Sequence, residues 1–233
     1  MSQNRVISFS LYGTAPKYLV GAVCNVADAA RFYPGWICRF YVREDVPRDV
    51  CRRLEALGAT IVPRSALWFG EEMFWRFEAA DDSSADVVLI RDADSRFSFR
   101  EQLAVFCWLR SNSPVHVMRD HPAHNMPIPG GMWGARFGAI KNLRDLIEEW
   151  RRTSRRYAAM AEQGTTYGMD QVFLTEIIWP LVKSDVYQHD EFYRWKWSAF
   201  AWPSPVLPDG HFVGEVYDEN NQPRMMDRIS RRL

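Results

Sequence analysis

A compact apolar segment, residues 86–90, runs without a break into Arg91-Asp92-Ala93-Asp94, and the chain before it repeatedly alternates strand and helix signals. That alternation constrains the fold more than any other feature. Residues 5–11 alternate apolar and polar side chains and meet Tyr12-Gly13, a strand ending in a loop. An apolar-rich helix is expected over 15–32, stopped by Pro34-Gly35, then a strand over 36–42 and a short helix over 47–57 that ends at Gly58. A third strand over 59–62 and a helix over 73–80 precede the apolar segment. Beyond the acids the pattern predicts a helix over 99–110, a strand over 115–118 and a Pro-, Gly- and His-rich loop over 119–131. Amphipathic helices over 138–162 and 168–183 follow, then a short strand over 185–188 and an aromatic tail. Strands alternating with helices imply an α/β fold, a mostly parallel sheet sandwiched by helices. Such sheets bind ligands beyond the carboxyl ends of their strands, where Asp92-Ala93-Asp94 falls.

The 233 residues, 47% hydrophobic, suffice for one large domain over 1–233. Within it, about 1–95 reads as a ligand-binding half and 96–233 as a second half with a C-terminal tail. Acidic and basic residues balance at 29 each, which argues against nucleic acid as a partner. Cys24, Cys38, Cys51 and Cys107 form no CxxC pair, so they read as free thiols in a reducing compartment. No apolar run approaches the ~20 residues of a membrane helix, and Met1-Ser2-Gln3-Asn4-Arg5 opens no secretion signal; a cytoplasmic location is the expectation.

Two carboxylates one residue apart, directly after a buried strand, repel each other unless a cation neutralises them. Mg²⁺ or Mn²⁺ does so while also taking phosphate oxygens, so the pair suits a diphosphate ligand; a surface loop of ion pairs is the plainer alternative. Arg91 and Arg96 flank the pair. Arg76, bracketed by Trp75 and Phe77, is expected to point at something specific: a donor phosphate, Asp92 or Asp94, or an ordinary partner such as Glu78 or Asp81.

Taken in order, Tyr12-Gly13, Trp75-Arg76-Phe77, Ile90-Arg-Asp-Ala-Asp-Ser-Arg96, Arg100-Glu101, His116 to Pro122, Gly130-Gly-Met-Trp-Gly134, Asp170-Gln171-Val-Phe-Leu174 and Phe212 to Glu219 resemble a group of bacterial and large-virus glycosyltransferase-like proteins. More loosely the layout is similar to retaining GT-A enzymes of the glycogenin and galactosyltransferase sort. The resemblance implies a GT-A (Rossmann-like) fold and transfer of a sugar from a UDP- or GDP-linked donor to a glycan or other hydroxyl acceptor, as in polysaccharide synthesis. It implies that Asp92 and Asp94 ligate Mn²⁺ or Mg²⁺, that Tyr12 and Gly13 border the nucleobase, and that Gly130 and Gly131 let backbone approach the sugar. Arg76 and Arg91 join the donor-binding set, and Asp170, Gln171 and Asp120 are the catalytic candidates. Asp170 also reads as a helix cap. His189 is the preferred third metal ligand and His211 its competitor; the Lys-Pro-Trp of those enzymes is replaced here by Glu215-Val216-Tyr217. His116, His121 and His124 match no standard zinc spacing.

Two other readings stand beside this one. Residues 87–90 with Asp92-x-Asp94-Ser95 approximate the nucleophile motif of haloacid-dehalogenase phosphatases, in which Asp92 would attack phosphate. A non-catalytic sugar-binding protein of the same fold is the other.

Overall fold

The computed structural model describes residues 3–224; Met1, Ser2 and the last nine residues of the expected domain lie outside the described residues. Through its third strand the alternating first half folds as read. Strand β1 (Arg5–Leu11) leads to helix α1 (Pro16–Phe32), β2 (Trp36–Arg43), α2 (Arg48–Ala56) and β3 (Thr60–Arg64). Two tight 3-10 turns, Glu71–Met73 and Trp75–Asp81, return the chain to β4 (Val87–Arg91). Then come α3 (Phe99–Arg110), β5 (Val115–Arg119), β6 (Met132–Arg136), α4 (Leu143–Thr153), α5 (Arg155–Glu162), α6 (Met169–Phe173), α7 (Trp179–Val182), β7 (Val186–Asp190) and α8 (Arg194–Trp197).

One seven-stranded sheet in the order β3-β2-β1-β4-β6-β5-β7 runs through both halves of the chain. All neighbours pair in parallel except those of β6, which is antiparallel to β4 and β5. The α/β expectation of a mostly parallel sheet is met. Alternate side chains of each strand supply two cores. Val6, Tyr41, Val88, Ile90 and Trp133 face one side, with the turn 75–81, α4 and α6. Ile7, Phe9, Phe40, Leu89 and Met132 face the other, with α1 and α3. The chain leaves β1 toward β2 and β3 and returns to β4 on β1's opposite side, so the order reverses between β1 and β4. Adjacent loops diverge at such a point and leave a crevice at the carboxyl ends.

Three elements depart from the sequence reading. The expected helix over 73–80 is a pair of tight turns, because Ser8 Oγ donates to Arg76 O at 2.7 Å and Arg76 N donates to Ser10 Oγ at 3.1 Å. β1 thus claims backbone groups that a helix would use internally. The expected helix over 138–162 breaks at Ser154, whose hydroxyl accepts from Tyr157 N and starts α5. Between α6 and α7 the helix widens over Leu174–Ile178, just ahead of Pro180, which has no N–H to continue the ladder.

Candidate functional site

The loop after β4 is fixed before any ligand is considered. Gly21 of α1 packs so closely on it that a Cβ there would collide with the Ala93 carbonyl, and Asn25 Nδ2 donates to the same oxygen at 3.1 Å. From the other side, Tyr217 N donates to Asp94 O at 2.8 Å and Ser95 bridges to Val216, so the tail is stitched to the loop. Asp92 and Asp94 then face a cavity of about 500 Å³ at the β1–β4 crevice, which Tyr12, Arg76, Gly130, Asp170 and Gln171 also line.

Inside the cavity the charges are organised around Arg76. Its guanidinium bonds Asp92 Oδ1 on one side and Asp170 Oδ2 at 2.6 Å on the other. The Asp92 side chain is 45% exposed, whereas those of Arg76 and Asp170 are 8% and 3% exposed. Asp170 Oδ1 accepts from Gln171 N at 2.9 Å. Burial raises the Asp170 pKa, and the Arg76 charge opposes the rise. Burial and then the Asp92 charge raise that of Asp94, whose carboxylate is held by Lys17 Nζ at 2.7 Å. The glycine pair follows from space. A Cβ on Gly130 would sit 2.5 Å from Asp170 Oδ2 and 3.1 Å from Arg76 Nη2, and one on Gly131 would strike Asp92 Oδ2.

Tyr12 continues β1 into the cavity wall, and burial pushes its hydroxyl up to about 12. Gly13 stands next to it with a positive φ of 74° and donates its N–H to Asp45 Oδ1 at 3.0 Å. The cavity is also lined by His121 and His124, 5.6 Å apart between ring centroids, and by Phe212, 4.3 Å from His121. Burial first, and then His121, brings His124 down to about 3, so it is neutral at pH 7.

Tyr12, Arg76, Asp92, Asp94, Gly130, Asp170 and Gln171 are therefore brought together, and Gly13 and Gly131 border them. Three expectations are not met. Arg91 is buried under the cavity floor, donating to Glu101 at 2.8 Å and to Gly131 O at 2.9 Å, so it supports the glycine strand and does not reach a donor. Asp120 is fully buried; it takes two bonds from Arg100, at 3.0 and 2.8 Å, and a third from Val213 N. A carboxylate so saturated is a structural clasp and not an available base. His189 is 1% exposed in β7, with Nδ1 3.0 Å from His116 Nε2, and does not line the cavity. The competing His211 pairs with Glu215 Oε2 at 2.6 Å. Among the described residues no group of three or more His, Cys, Asp or Glu is placed to hold a metal.

Sequence reasoning missed Lys17, Tyr18, Tyr167 and Arg224, which also line the cavity. A signal existed for Lys17. It occupies the first turn of α1, where no acidic residue stands and the helix dipole disfavours a cation.

No protein-family model matches the chain, and no curated protein matches it by sequence. Among solved structures it is similar to glucosyl-3-phosphoglycerate synthase from Mycobacterium tuberculosis in complex with Mn²⁺, UDP-glucose and glycerol 3-phosphate, at 14% identity and a TM-score of 0.48 over 80% of this chain and 69% of that one. Mannosyl-3-phosphoglycerate synthase from Rubrobacter xylanophilus matches at 14% identity and 0.39, over 57% of this chain and 53% of that one. A mycobacterial protein matches at 15% and 0.39, over 62% of this chain and 54% of that one. The chain thus spans little more than half the length of the last two. No helix among the described residues is long and apolar enough to cross a membrane.

Proposed function

We propose that the chain is a metal-dependent glycosyltransferase of GT-A type, which moves a sugar from a UDP- or GDP-linked donor to a hydroxyl acceptor such as a growing glycan. One observation carries the reading: two carboxylates, Asp92 and Asp94, face a cavity at the point where the strand order reverses, with a third carboxylate, Asp170, held beside them by Arg76.

The residues fit a hard divalent cation. The donor set is carboxylate oxygen alone, and burial first, then the Asp92 charge, raise the Asp94 pKa, a cost that a bound cation would relieve. Mn²⁺ or Mg²⁺ held by Asp92 and Asp94 would neutralise the charge that develops on a departing diphosphate. Everything else falls to the chain. Tyr12 offers a ring face at the end of β1 for the nucleobase, with Gly13 turning the chain away beneath it. Gly130 and Gly131 present bare backbone beside the acids, so a sugar ring can lie against them. Asp170 holds the Arg76 guanidinium against Asp92, and Gln171 supplies an amide to sugar hydroxyls. His121, His124 and Phe212 form the acceptor-side wall.

The test is calorimetry with a panel of UDP- and GDP-linked sugars, with and without Mn²⁺. Wild-type protein is expected to bind at least one donor only when Mn²⁺ is present, and Asp92→Asn and Asp94→Asn to lose that binding. Unchanged affinity in both variants would overturn the reading in favour of a sugar-binding protein. The phosphatase reading requires Asp92 to attack phosphate; a covalent aspartyl-phosphate at Asp92 would favour it over the transferase reading.

A further inference from the structure

The two acids are not equally available to a cation. Asp92 is held by Arg76, which cannot withdraw: its backbone is latched to Ser8 and Ser10, its other nitrogen is bound to Asp170, and its guanidinium lies 5.5 Å from the Phe77 ring centre. That contact still leaves the second Asp92 oxygen, on the Gly131 side, without an ammonium or guanidinium among the described residues. Among the described residues Asp94 is held by one side chain, Lys17, at 2.7 Å. Lys17 is a different kind of partner. It hangs from the first turn of α1 on a flexible stem, its side chain is 28% exposed, and its other cation contact is the Tyr18 ring at 4.2 Å. The helix dipole acts against an ammonium at that end, so it is the Asp94 carboxylate that keeps it there.

We propose that Lys17 is a resident counter-ion of the acid pair, occupying the position a divalent cation takes at Asp94, and that the cation enters by displacing it. The inference rests on the metal reading above and adds a gate to it. With no diphosphate bound, the ammonium satisfies Asp94 and keeps metal affinity low. When metal and diphosphate arrive together, the displaced ammonium remains on the cavity wall and transfers to a phosphate oxygen, so metal and nucleotide bind cooperatively. An ammonium suits this exchange because it is a compact charge on a mobile stem, unlike the clamped guanidinium of Arg76.

The experiment measures Mn²⁺ binding directly, by the loss of the free-ion paramagnetic resonance signal, for wild type, Lys17→Met, Lys17→Arg and Asp94→Asn, each first shown to melt as a folded protein. With Mn²⁺ alone, Lys17→Met is expected to bind about tenfold more tightly than wild type, Lys17→Arg to stay within about twofold of wild type because it keeps the competing charge, and Asp94→Asn to lose binding. Adding UDP, and GDP in a parallel series, is expected to tighten Mn²⁺ binding strongly in wild type and much less in Lys17→Met. Equal Mn²⁺ affinity of wild type and Lys17→Met, both measurable, overturns the counter-ion role and leaves the metal site standing. Absence of Mn²⁺ binding in every variant, with and without nucleotide, overturns the metal reading and this inference together.

Discussion

Replacing Arg76 by methionine is expected to damage the fold far more than replacing the acid it holds in the cavity. Arg76 is nearly enclosed and sits between a half-open carboxylate, Asp92, and a closed one, Asp170. In Arg76→Met, Asp92 turns to water and loses little, as exposed pairs are worth about 0–1 kcal/mol. Asp170 has no such escape: among the described residues its other hydrogen bond comes from the Gln171 N–H at 2.9 Å, and it stays buried without a counter-charge. Breaking a buried pair in this way costs about 3–5 kcal/mol. A chain of this size loses roughly 2–4 °C of melting temperature per kcal/mol, so a fall of roughly 6–20 °C follows. Removing the stranded charge as well, in Arg76→Met with Asp170→Asn, is expected to return more than half of the loss. Urea denaturation of the wild type, both single variants and the double completes the cycle. A single variant within about 1 kcal/mol of wild type, or a double variant whose loss equals the sum of the singles, would refute the view that Arg76 answers a buried charge.

Asp92→Asn is expected to change stability by less than about 1 kcal/mol while abolishing Mn²⁺-dependent donor binding in calorimetry, which separates ligand role from structural role at one residue. Gly130→Ala pushes a methyl against Asp170 and Arg76; a loss of about 1–3 kcal/mol in urea and weakened donor binding are expected, and a variant with native melting and native binding would show that the space is free. Acid should weaken the fold through its buried histidines. His189 falls from 6.5 to about 4 by burial, so between those values the unfolded chain binds the extra proton and stability drops as the pH drops. At 1.36 kcal/mol per pH unit this one ring costs about 3 kcal/mol by pH 4, and melts of His189→Phe should decline less steeply between pH 6.5 and 4 than wild type.

The strand–helix alternation, the sheet class and the acid pair were legible in the sequence because each is a local pattern. Strand β6 was not: Met132–Arg136 is short, follows a Pro-Gly-rich loop and gains its strand character only from β4 and β5 on either side. The helix expected near Arg76 failed for a similar reason, since Ser8 and Ser10 are more than sixty positions away in the chain. The misplaced site residues share one cause. Arg91, Asp120 and His189 all stand at or near strand ends, where a ligand contact and an internal clasp look alike in one dimension. What separates them is a distant partner: Glu101 for Arg91, Arg100 for Asp120, His116 for His189. Lys17 was overlooked although its unfavourable place on α1 was readable, because no sequence rule linked it to an aspartate seventy-seven positions on.

A strand that runs against its neighbour begins where the neighbour stops. β6 opens at Met132, opposite Arg91 at the finish of β4, and that alone delivers Gly130-Gly131 to the aspartates. Residues 121–127, less buried than Asp120 before them and Ile128 after, border this junction, so changes of length there could remodel one rim of the cavity while the charged floor stays put. A change of recognition at that rim would leave the acids and the glycine pair beneath it where the sheet puts them.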